Sequence, residues 1–484
     1  MVFNIYVANK VGSEAIGVFS LIMSFYLFAI TVASSGLNIA CTCIVSEEFA
    51  KGNFSNGFKA VRSCVFFALL LGLGSAFVIF LSGPLVSKVF LKGLVSPVPI
   101  YMIAIGLTFI SISSVINGYL SSVGKSYKNA ISQVTELSVK IIVSILLLQF
   151  FPSTDVETVC IFLILADVLS ELFSFTLNMI FYFKDKKKYC NKHTFQVQMK
   201  KRIFKIAFPI AITSYIRSGL SSLKQFLIPL RLELSGLSYS LAVSSYGLIN
   251  GMVMPVLMFS NSFIASFSSL LVPEFSRLLA GGNHNRLITV CNMILKTTSV
   301  FAICVSFIFF FFSNELSMAI YQNIEAGKWI KFLAPLVFFM YIDNIIDNML
   351  KGINEQVGVM CCNILDLVIT ISIIFFIVPI YGISGYIFSI CISELLNFTI
   401  SCIQLKRKIN YSVNLFKFVL VPIIACIFSY CICTFLNFNF SNLIFNIVIK
   451  VICFIGFYLS IIFIHKIYAF FIRKLKKFVI VFRV

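Results

Sequence analysis

Long apolar segments separated by short polar loops recur along the whole chain. A helix that crosses a bilayer needs roughly 20 predominantly apolar residues, whereas a membrane β-barrel would show short strands of alternating polarity. The pattern therefore predicts an all-α polytopic membrane protein with thirteen full spans. The predicted spans are residues 16–45, 60–82, 98–121, 128–151, 157–183, 203–229, 241–271, 287–312, 329–350, 356–378, 383–405, 416–436 and 443–465.

A short apolar fragment, Met1 to Lys10, precedes the first full span. It is too short to cross a membrane alone and resembles the outer half of a helix whose first half is absent. Counted as a truncated helix 1, it brings the predicted total to fourteen. We expect either a start site further upstream or an incomplete first lobe, and the two alternatives stay open.

Basic residues are distributed unequally between the predicted loops. When cations in the first three residues of a span are counted with the adjoining loop, the loops after even-numbered helices and the C-terminal tail hold 27 of the 38 Lys and Arg residues, and the loops after odd-numbered helices hold six. Cytoplasmic loops carry an excess of Lys and Arg. We therefore predict a multi-pass membrane protein with its even loops and C-terminus in the cytoplasm. The most basic loop, Lys184 to Lys205, is interpreted as a topology signal and a contact for anionic lipid.

Composition excludes several functional classes. The chain of 484 residues is 60% hydrophobic and 12% charged, against about 25% charged residues in a soluble domain. Its net charge of +20 lies mainly in loops, which predicts topology rather than a nucleic-acid partner. There is no Gly-rich phosphate loop. The 15 cysteines lie mostly in apolar segments without CxxC spacing, and the three histidines are far apart. We predict no metal site, no cofactor, no enzymatic activity and a monomer.

Polar residues recur at helical spacing inside the apolar segment from about Ile203 to Leu230. Steps of three and four residues place them on one face of a helix. A cation near the centre of a spanning helix costs about 2.5–3.5 kcal/mol on insertion scales. The stripe therefore predicts an aqueous, positively charged cavity, and the alternative is packing against neighbouring helices through hydrogen bonds. The stripe consists of Ser214, Arg217, Ser218, Ser221, Lys224 and Gln225.

The chain resembles itself at an offset of about 230 residues. Gly17 aligns with Gly247, and residues 50–53 (AKGN) align with residues 280–283 (AGGN). Residues 133–136 (QVTE) align with 363–366 (NILD), and after a seven-residue contraction residues 170–176 (SELFSFT) meet 393–399 (SELLNFT). Six helices per repeat give both copies the same orientation, so we predict two bundles related by a pseudo-twofold axis along the membrane normal.

This repeat predicts the domain organisation of the chain. Residues 1–183 form an N-lobe of helices 1–6, and residues 184–202 form a basic cytoplasmic linker. Residues 203–405 form a C-lobe of helices 7–12, and residues 406–484 add helices 13 and 14 with a basic cytoplasmic tail. Substrate sites in proteins with such repeats lie near the midplane, between the two copies.

Two stretches of the sequence carry a family resemblance. The arrangement resembles the multidrug/oligosaccharidyl-lipid/polysaccharide (MOP) exporter superfamily, and within it the sequence is similar to the stage V sporulation protein B branch of polysaccharide exporters and lipid-linked sugar flippases. The likeness covers most of the chain and weakens after about Leu405. The matching segments are residues 6–17, 45–47, 50–52, 228–232, 234–238, 245–247, 251–252 and 271–273.

The resemblance implies translocation, across a bacterial cytoplasmic membrane, of an undecaprenyl-type lipid that carries a sugar or peptidoglycan precursor on a pyrophosphate. Such an anionic head suits a wet cationic cavity, so Arg217 and Lys224 would bind phosphate oxygens. Ser214, Ser218, Ser221 and Gln225 would then solvate sugar hydroxyls. Lys10 and Arg231 would attract the head near the outer mouth, or they only anchor their helix ends.

Buried carboxylates suggest a driving ion. Asp366, Asn363 and Glu394 offer oxygen ligands for a sodium ion or a proton, and interhelical hydrogen bonding is the alternative. Glu136 and Lys140 stand at i, i+4 and predict an ion pair. Asp167 and Glu171 share a helix face and would hold a proton or contact Lys140.

Two other functions compete with the flippase. The nearer one is a cation-coupled multidrug exporter of the same superfamily. Exporters of cationic drugs favour acidic or aromatic cavities, so the basic stripe favours the flippase. The more distant alternative is a membrane-embedded glycosyltransferase, which would need a carboxylate-rich catalytic loop. The short loops after odd-numbered helices, which are poor in acids, argue against it.

Overall fold

The computed structural model describes residues 2–151, 155–188, 199–282, 284–409, 419–436 and 443–481. Within these ranges every regular element is a helix, and short π-helical segments extend α3 (Val86–Phe90) and α8 (Leu248–Val253). The helices are α1 (Val2–Ser34), α2 (Leu37–Ala50), α3 (Phe54–Leu85), α4 (Val98–Ser122), α5 (Ser126–Phe150), α6 (Val156–Lys188), α7 (Met199–Glu233), α8 (Tyr239–Gly247), α9 (Met254–Phe259), α10 (Asn261–Ala280), α11 (His284–Phe311), α12 (Ser313–Tyr321), α13 (Ile324–Leu333), α14 (Leu336–Gly352), α15 (Gln356–Lys408), α16 (Val421–Phe435) and α17 (Leu443–Val481).

The first helix is interrupted by a glycine between the predicted fragment and the first predicted span. Gly12 has φ 84° and ψ 176°, which is not helical. A second interruption at Gly36, with φ 78°, separates α1 from α2. A Cβ at Gly36 would lie 2.4 Å from the Ala207 carbonyl oxygen, so glycine permits α7 to approach closely here. The predicted span 16–45 is therefore two helices that meet at Gly36.

The longest helix, α15, folds back on itself. Gly382 has non-helical torsions (φ 57°, ψ −134°), and it lies in the gap between the predicted spans 356–378 and 383–405. Near the two ends of the segment, Lys408 Nζ lies 2.5 Å from Glu355 Oε1. A straight helix of 53 residues would hold its ends roughly 80 Å apart. The segment is therefore a helical hairpin whose turn is at Gly382.

Ten helices in the described ranges are long and apolar enough to cross a membrane, or up to eleven if the pair α13 and α14, bent by 56°, forms one span. The chain is thus a multi-pass membrane protein. The ten do not include α7, although it is 35 residues long, because its many polar and charged residues reduce its apolar character. The predicted count of thirteen full spans and the arrangement of two six-helix bundles stay predictions.

The chain forms two compact units. One comprises Lys10–Leu248 and Ile371–Tyr386, and the other comprises Met1–Asn9, Ile249–Thr370 and Ile387–Val484. The first unit has a core of small and aliphatic side chains from α2, α3 and α4, and in the second unit α11 packs against α16 and α17. These units group residues by packing, whereas the lobes predicted above group them by repeated sequence. The predicted domain boundaries stay a prediction.

Equivalent contacts recur at the offset of the sequence repeat. Gly118 in α4 packs against Asn38 in α2, where a Cβ on the glycine would lie 2.6 Å from the asparagine carbonyl oxygen. Residues 230 positions later also meet, since Asn348 Nδ2 in α14 donates to Ser268 Oγ in α10 at 2.9 Å. The repeated sequence therefore folds into repeated helix contacts.

Candidate functional site

The helix that carries the polar stripe, α7, packs one side against α1. Ser222 Oγ donates to the carbonyl oxygen of Ser24 at 2.8 Å, and Tyr215 OH donates to that of Val32 at 3.1 Å. The ring of Phe226 adds an edge contact to Phe25. These contacts fix the rotation of α7 about its axis and so determine where each residue of the stripe points.

The two cations of the stripe lie on the side of α7 that faces away from α1. At about 100° per residue, Lys224 and Arg217 are roughly 140–160° around the helix from Ser222. Ser218 is only about 40° from Ser222 and lies nearest the packed side. The six residues thus cover a face about 120° wide, with the cations at its far edge.

The stripe residues differ in their surroundings. Gln225 Oε1 accepts a hydrogen bond from Tyr246 OH at 2.8 Å, so this residue also helps to attach α8. Arg217 is exposed and Lys224 is half-buried. Neither cation forms an ion pair or a hydrogen bond within the part of the chain that the structure describes. The remaining residues, Ser214, Ser218 and Ser221, are half-buried.

Some other lysines on the apolar helices have carboxylate partners. Lys450 Nζ lies 3.0 Å from Glu315 Oε1, and Lys140 pairs with Asp167. Arg217 and Lys224 lack such partners among the described residues, so their charges are available to an external anion. This arrangement can bind a phosphate group, because a guanidinium donates hydrogen bonds to two phosphate oxygens at once and an ammonium acts as a point charge.

The two cations predicted near the outer mouth are in different environments. Lys10 is exposed and precedes the break at Gly12. The Arg231 guanidinium lies over the ring of Phe375, 3.5 Å from its centroid, which is a close cation–π contact. That contact attaches the end of α7 to the hairpin α15 and gives Arg231 a structural role.

The predicted ion site lies across the α15 hairpin. Asp366 is buried, and its Oδ1 accepts hydrogen bonds from Ser393 Oγ at 2.8 Å and Thr370 Oγ1 at 3.4 Å. Asn363 is half-buried about one turn before Asp366, and Glu394 follows Ser393. Sequence analysis missed the two hydroxyls, although Ser393 stands in the repeated segment. No group of three or more His, Cys, Asp or Glu residues suited to a metal ion occurs in the described ranges.

A second buried polar network joins α1, α5 and α6. Lys140 on α5 forms an ion pair with Asp167 on α6, and Tyr26 OH on α1 donates to Glu171 Oε2. The predicted contact between Lys140 and the α6 carboxylates is therefore confirmed for Asp167. Sequence analysis missed the tyrosine, because nothing in its local spacing indicates a carboxylate partner 145 positions away.

Known proteins resemble this chain in sequence and in fold. A family model described as polysaccharide biosynthesis protein matches residues 1–279. Stage V sporulation protein B of Bacillus subtilis (strain 168) is 24% identical over 395 residues, covering 79% of this chain and 75% of that protein. This similarity confirms the resemblance to stage V sporulation protein B that the sequence motifs indicated.

Solved structures of the MOP superfamily share the fold. An inward-facing multidrug resistance MATE family transporter superposes with a TM-score of 0.68 at 13% identity, over 84% of this chain and 93% of that one. The lipid II flippase MurJ in an inward closed conformation superposes with a TM-score of 0.65 at 14% identity, over 96% and 99% of the two chains.

Proposed function

The chain belongs to the polysaccharide biosynthesis protein family and is a membrane transporter of the MOP superfamily, and we propose that its cargo is a lipid-linked sugar. The cargo class is an undecaprenyl-pyrophosphate type lipid that carries a sugar or a peptidoglycan precursor. The protein moves the anionic head across the cytoplasmic membrane by alternating access. One repeat would rock against the other, so that a central cavity opens to one side of the membrane at a time.

The observation that carries this proposal is the pair of cations on α7 that have no carboxylate partner in the described ranges. Arg217 and Lys224 lie seven residues apart, so about 10 Å of helix rise separates them. Holding two cations inside a membrane protein costs free energy unless water or an anion surrounds them. A pyrophosphate head supplies the anion, and an aqueous cavity supplies the water between transport cycles.

The chemistry of the stripe fits both parts of such a head. The Arg217 guanidinium would bind phosphate oxygens with its planar fork, and the Lys224 ammonium would bind as a point charge. Ser214, Ser218 and Ser221 would exchange hydrogen bonds with sugar hydroxyls. Gln225, already bonded to Tyr246, still has its amide N–H groups to donate to the cargo. The lipid tail would remain in the bilayer, where it keeps its apolar surroundings.

A cation gradient is the proposed driving force. Asp366, Asn363 and Glu394 would bind a sodium ion or a proton, since carboxylate and amide oxygens suit a hard cation. The hydroxyls of Ser393 and Thr370 next to Asp366 add further oxygen atoms at this place. Binding there would bias the α15 hairpin toward one of its conformations, which is how an ion contributes energy to transport.

A cation-coupled multidrug exporter is the second candidate, because the fold also resembles that of the MATE family transporter. Fold likeness at 13% identity does not separate the two functions. The sign of the charge does, since a cationic drug would be repelled by Arg217 and Lys224. The two candidates therefore differ in the charge of the cargo that each would move.

Reconstitution into vesicles tests the proposal. The full chain is placed in vesicles that contain an undecaprenyl-pyrophosphate-linked sugar labelled on its sugar, and a membrane-impermeant quencher reports the exposed fraction over time. We expect faster exposure than in protein-free vesicles, and no movement of an uncharged undecaprenyl-linked sugar. Equal rates of sugar exposure with and without protein would contradict the flippase. Protein-dependent efflux of ethidium from the same vesicles would then favour the multidrug exporter.

A further inference from the structure

A pocket of about 440 Å³ lies among α3, α4 and α6, away from the stripe on α7. Its volume falls within the range of about 300–1,000 Å³ that is typical of small-ligand sites. Three of the lining residues are basic and the others are mainly aromatic or aliphatic. The lining residues are Ser55, Phe58, Lys59, Arg62, Val65, Ile116, Met179, Tyr182, Phe183 and Lys186.

The three basic residues of the pocket have no carboxylate partner among the residues that the structure describes. Lys59 and Arg62 lie on α3, Lys186 lies in the last turn of α6, and all three are exposed. None of them forms an ion pair with any residue in the described ranges of the chain. The pocket therefore presents about three positive charges to whatever enters it.

Carboxylates at the same end of the helices are already neutralised by other cations. Asp185, beside Lys186 in sequence, pairs with both Lys125 and Lys128 at 2.9 Å. Glu48 Oε1 pairs with Arg202 Nη1 at 2.8 Å. The basic residues of the pocket thus remain uncompensated even though acids occur nearby in the sequence.

The pocket changes from polar to apolar along both of its main walls. On α3, steps of three residues lead from Lys59 and Arg62 near the start of the helix to Val65 further in. On α6, the sequence from the helix end inward is Lys186, Phe183 and Met179, again at steps of three and four. Positive charge is therefore concentrated toward the helix ends, and apolar surface lies deeper in the span.

We propose that this pocket binds the head of an anionic phospholipid drawn from the surrounding bilayer. The polar end would hold the phosphate, with Arg62 as a bidentate donor and the two lysines as point charges. The apolar walls would contact the first part of the acyl chains. Basic pockets between spanning helices are known to suit such head groups. The site is separate from the cargo stripe and does not depend on the proposed function.

Lipid binding to matched charge variants tests the proposal. The full chain is purified in a neutral detergent, and native mass spectrometry counts bound phosphatidylglycerol and phosphatidylcholine with the same acyl chains. The wild-type protein should bind phosphatidylglycerol more tightly than phosphatidylcholine. The triple variant Lys59→Gln/Arg62→Gln/Lys186→Gln should bind phosphatidylglycerol roughly tenfold to a hundredfold more weakly and lose this preference.

The control variant removes the same charge outside the pocket. Lys51→Gln/Lys184→Gln/Lys187→Gln changes exposed lysines of the same unit that do not line the pocket, and it should keep wild-type lipid preference. If both triple variants bound phosphatidylglycerol as tightly as the wild type, or if both bound it equally weakly, the proposed site would be overturned. Displacement of phosphatidylglycerol by soluble sn-glycerol 1-phosphate at comparable concentration would show a phosphate site rather than a lipid site and would also overturn the proposal.

Discussion

Gly17 and Gly247, which align in the sequence repeat, lie directly against each other in the structure. A Cβ on Gly247 would lie 2.0 Å from the carbonyl oxygen of Ser13, and a Cβ on Gly17 would lie 2.3 Å from that of Val243. Ser13 and Val243 are themselves 230 positions apart. Gly247 therefore contacts Ser13, and Gly17 contacts Val243, which is the residue that corresponds to Ser13 in the second repeat. Reciprocal contacts of this kind are the pattern expected across a twofold axis.

This close approach predicts that Gly247→Ala destabilises the protein. The added methyl group has no space, and overpacking of this kind typically costs about 1–3 kcal/mol. The melting temperature of the purified protein in detergent should fall. Gly74→Ala is the matched control, because a Cβ there meets no atom within 4 Å, and it should melt at or above the wild-type temperature. Identical melting of both variants would show that α1 and α8 are not in contact at these glycines.

The ion pair between Lys140 and Asp167 predicts a second stability effect. Lys140→Met leaves the buried Asp167 carboxylate without its cation, and breaking a buried pair from one side costs about 3–5 kcal/mol. Adding Asp167→Leu removes the unpaired carboxylate and should recover most of the loss. The measurement is the melting temperature of the three proteins. If Lys140→Met melts at the wild-type temperature, the ion pair between Lys140 and Asp167 does not form.

These residues also show how far the sequence predicts the polar contacts. The spacing of Glu136 and Lys140 indicates a local pair, which depends only on helix geometry. The partner that Lys140 contacts, Asp167, is brought close by the packing of α5 on α6, and the sequence offered it only as one of two alternatives. The same holds for Asp366, whose bond to Ser393 spans 27 residues and depends on the turn at Gly382.

The helices and the polar stripe were more predictable than the contacts between them. Apolar runs located the long helices but not the break at Gly36, and the gap between the predicted spans 356–378 and 383–405 contains the turn of the α15 hairpin. Spacing alone placed Arg217 and Lys224 on one face of α7. It did not indicate which side of that helix packs on α1, because the bond from Ser222 to Ser24 joins residues 198 positions apart.

The proposed ion site predicts that Asp366→Asn uncouples transport from a cation gradient. Asparagine has nearly the same shape and still accepts the Ser393 hydrogen bond, but it carries no charge and cannot be protonated. Transport in vesicles should then no longer increase when a sodium or proton gradient is imposed. Thr399→Val is the comparison, because its exposed hydroxyl donates to the Leu395 carbonyl oxygen of its own helix and lies outside the proposed ion site, and this variant should retain gradient dependence. Full dependence in Asp366→Asn would remove this residue from the ion site.

The most direct test of the cationic stripe is transport by Arg217→Gln/Lys224→Gln in vesicles that contain the pyrophosphate-linked sugar. Charge-assisted hydrogen bonds contribute about 1.5–3 kcal/mol each, so transport should fall roughly a hundredfold or more. The melting temperature should stay at the wild-type value, since neither side chain has a partner in the described part of the chain. Arg217→Lys/Lys224→Arg, which keeps both charges, should retain most of the transport. Wild-type transport by the double glutamine variant would contradict the account.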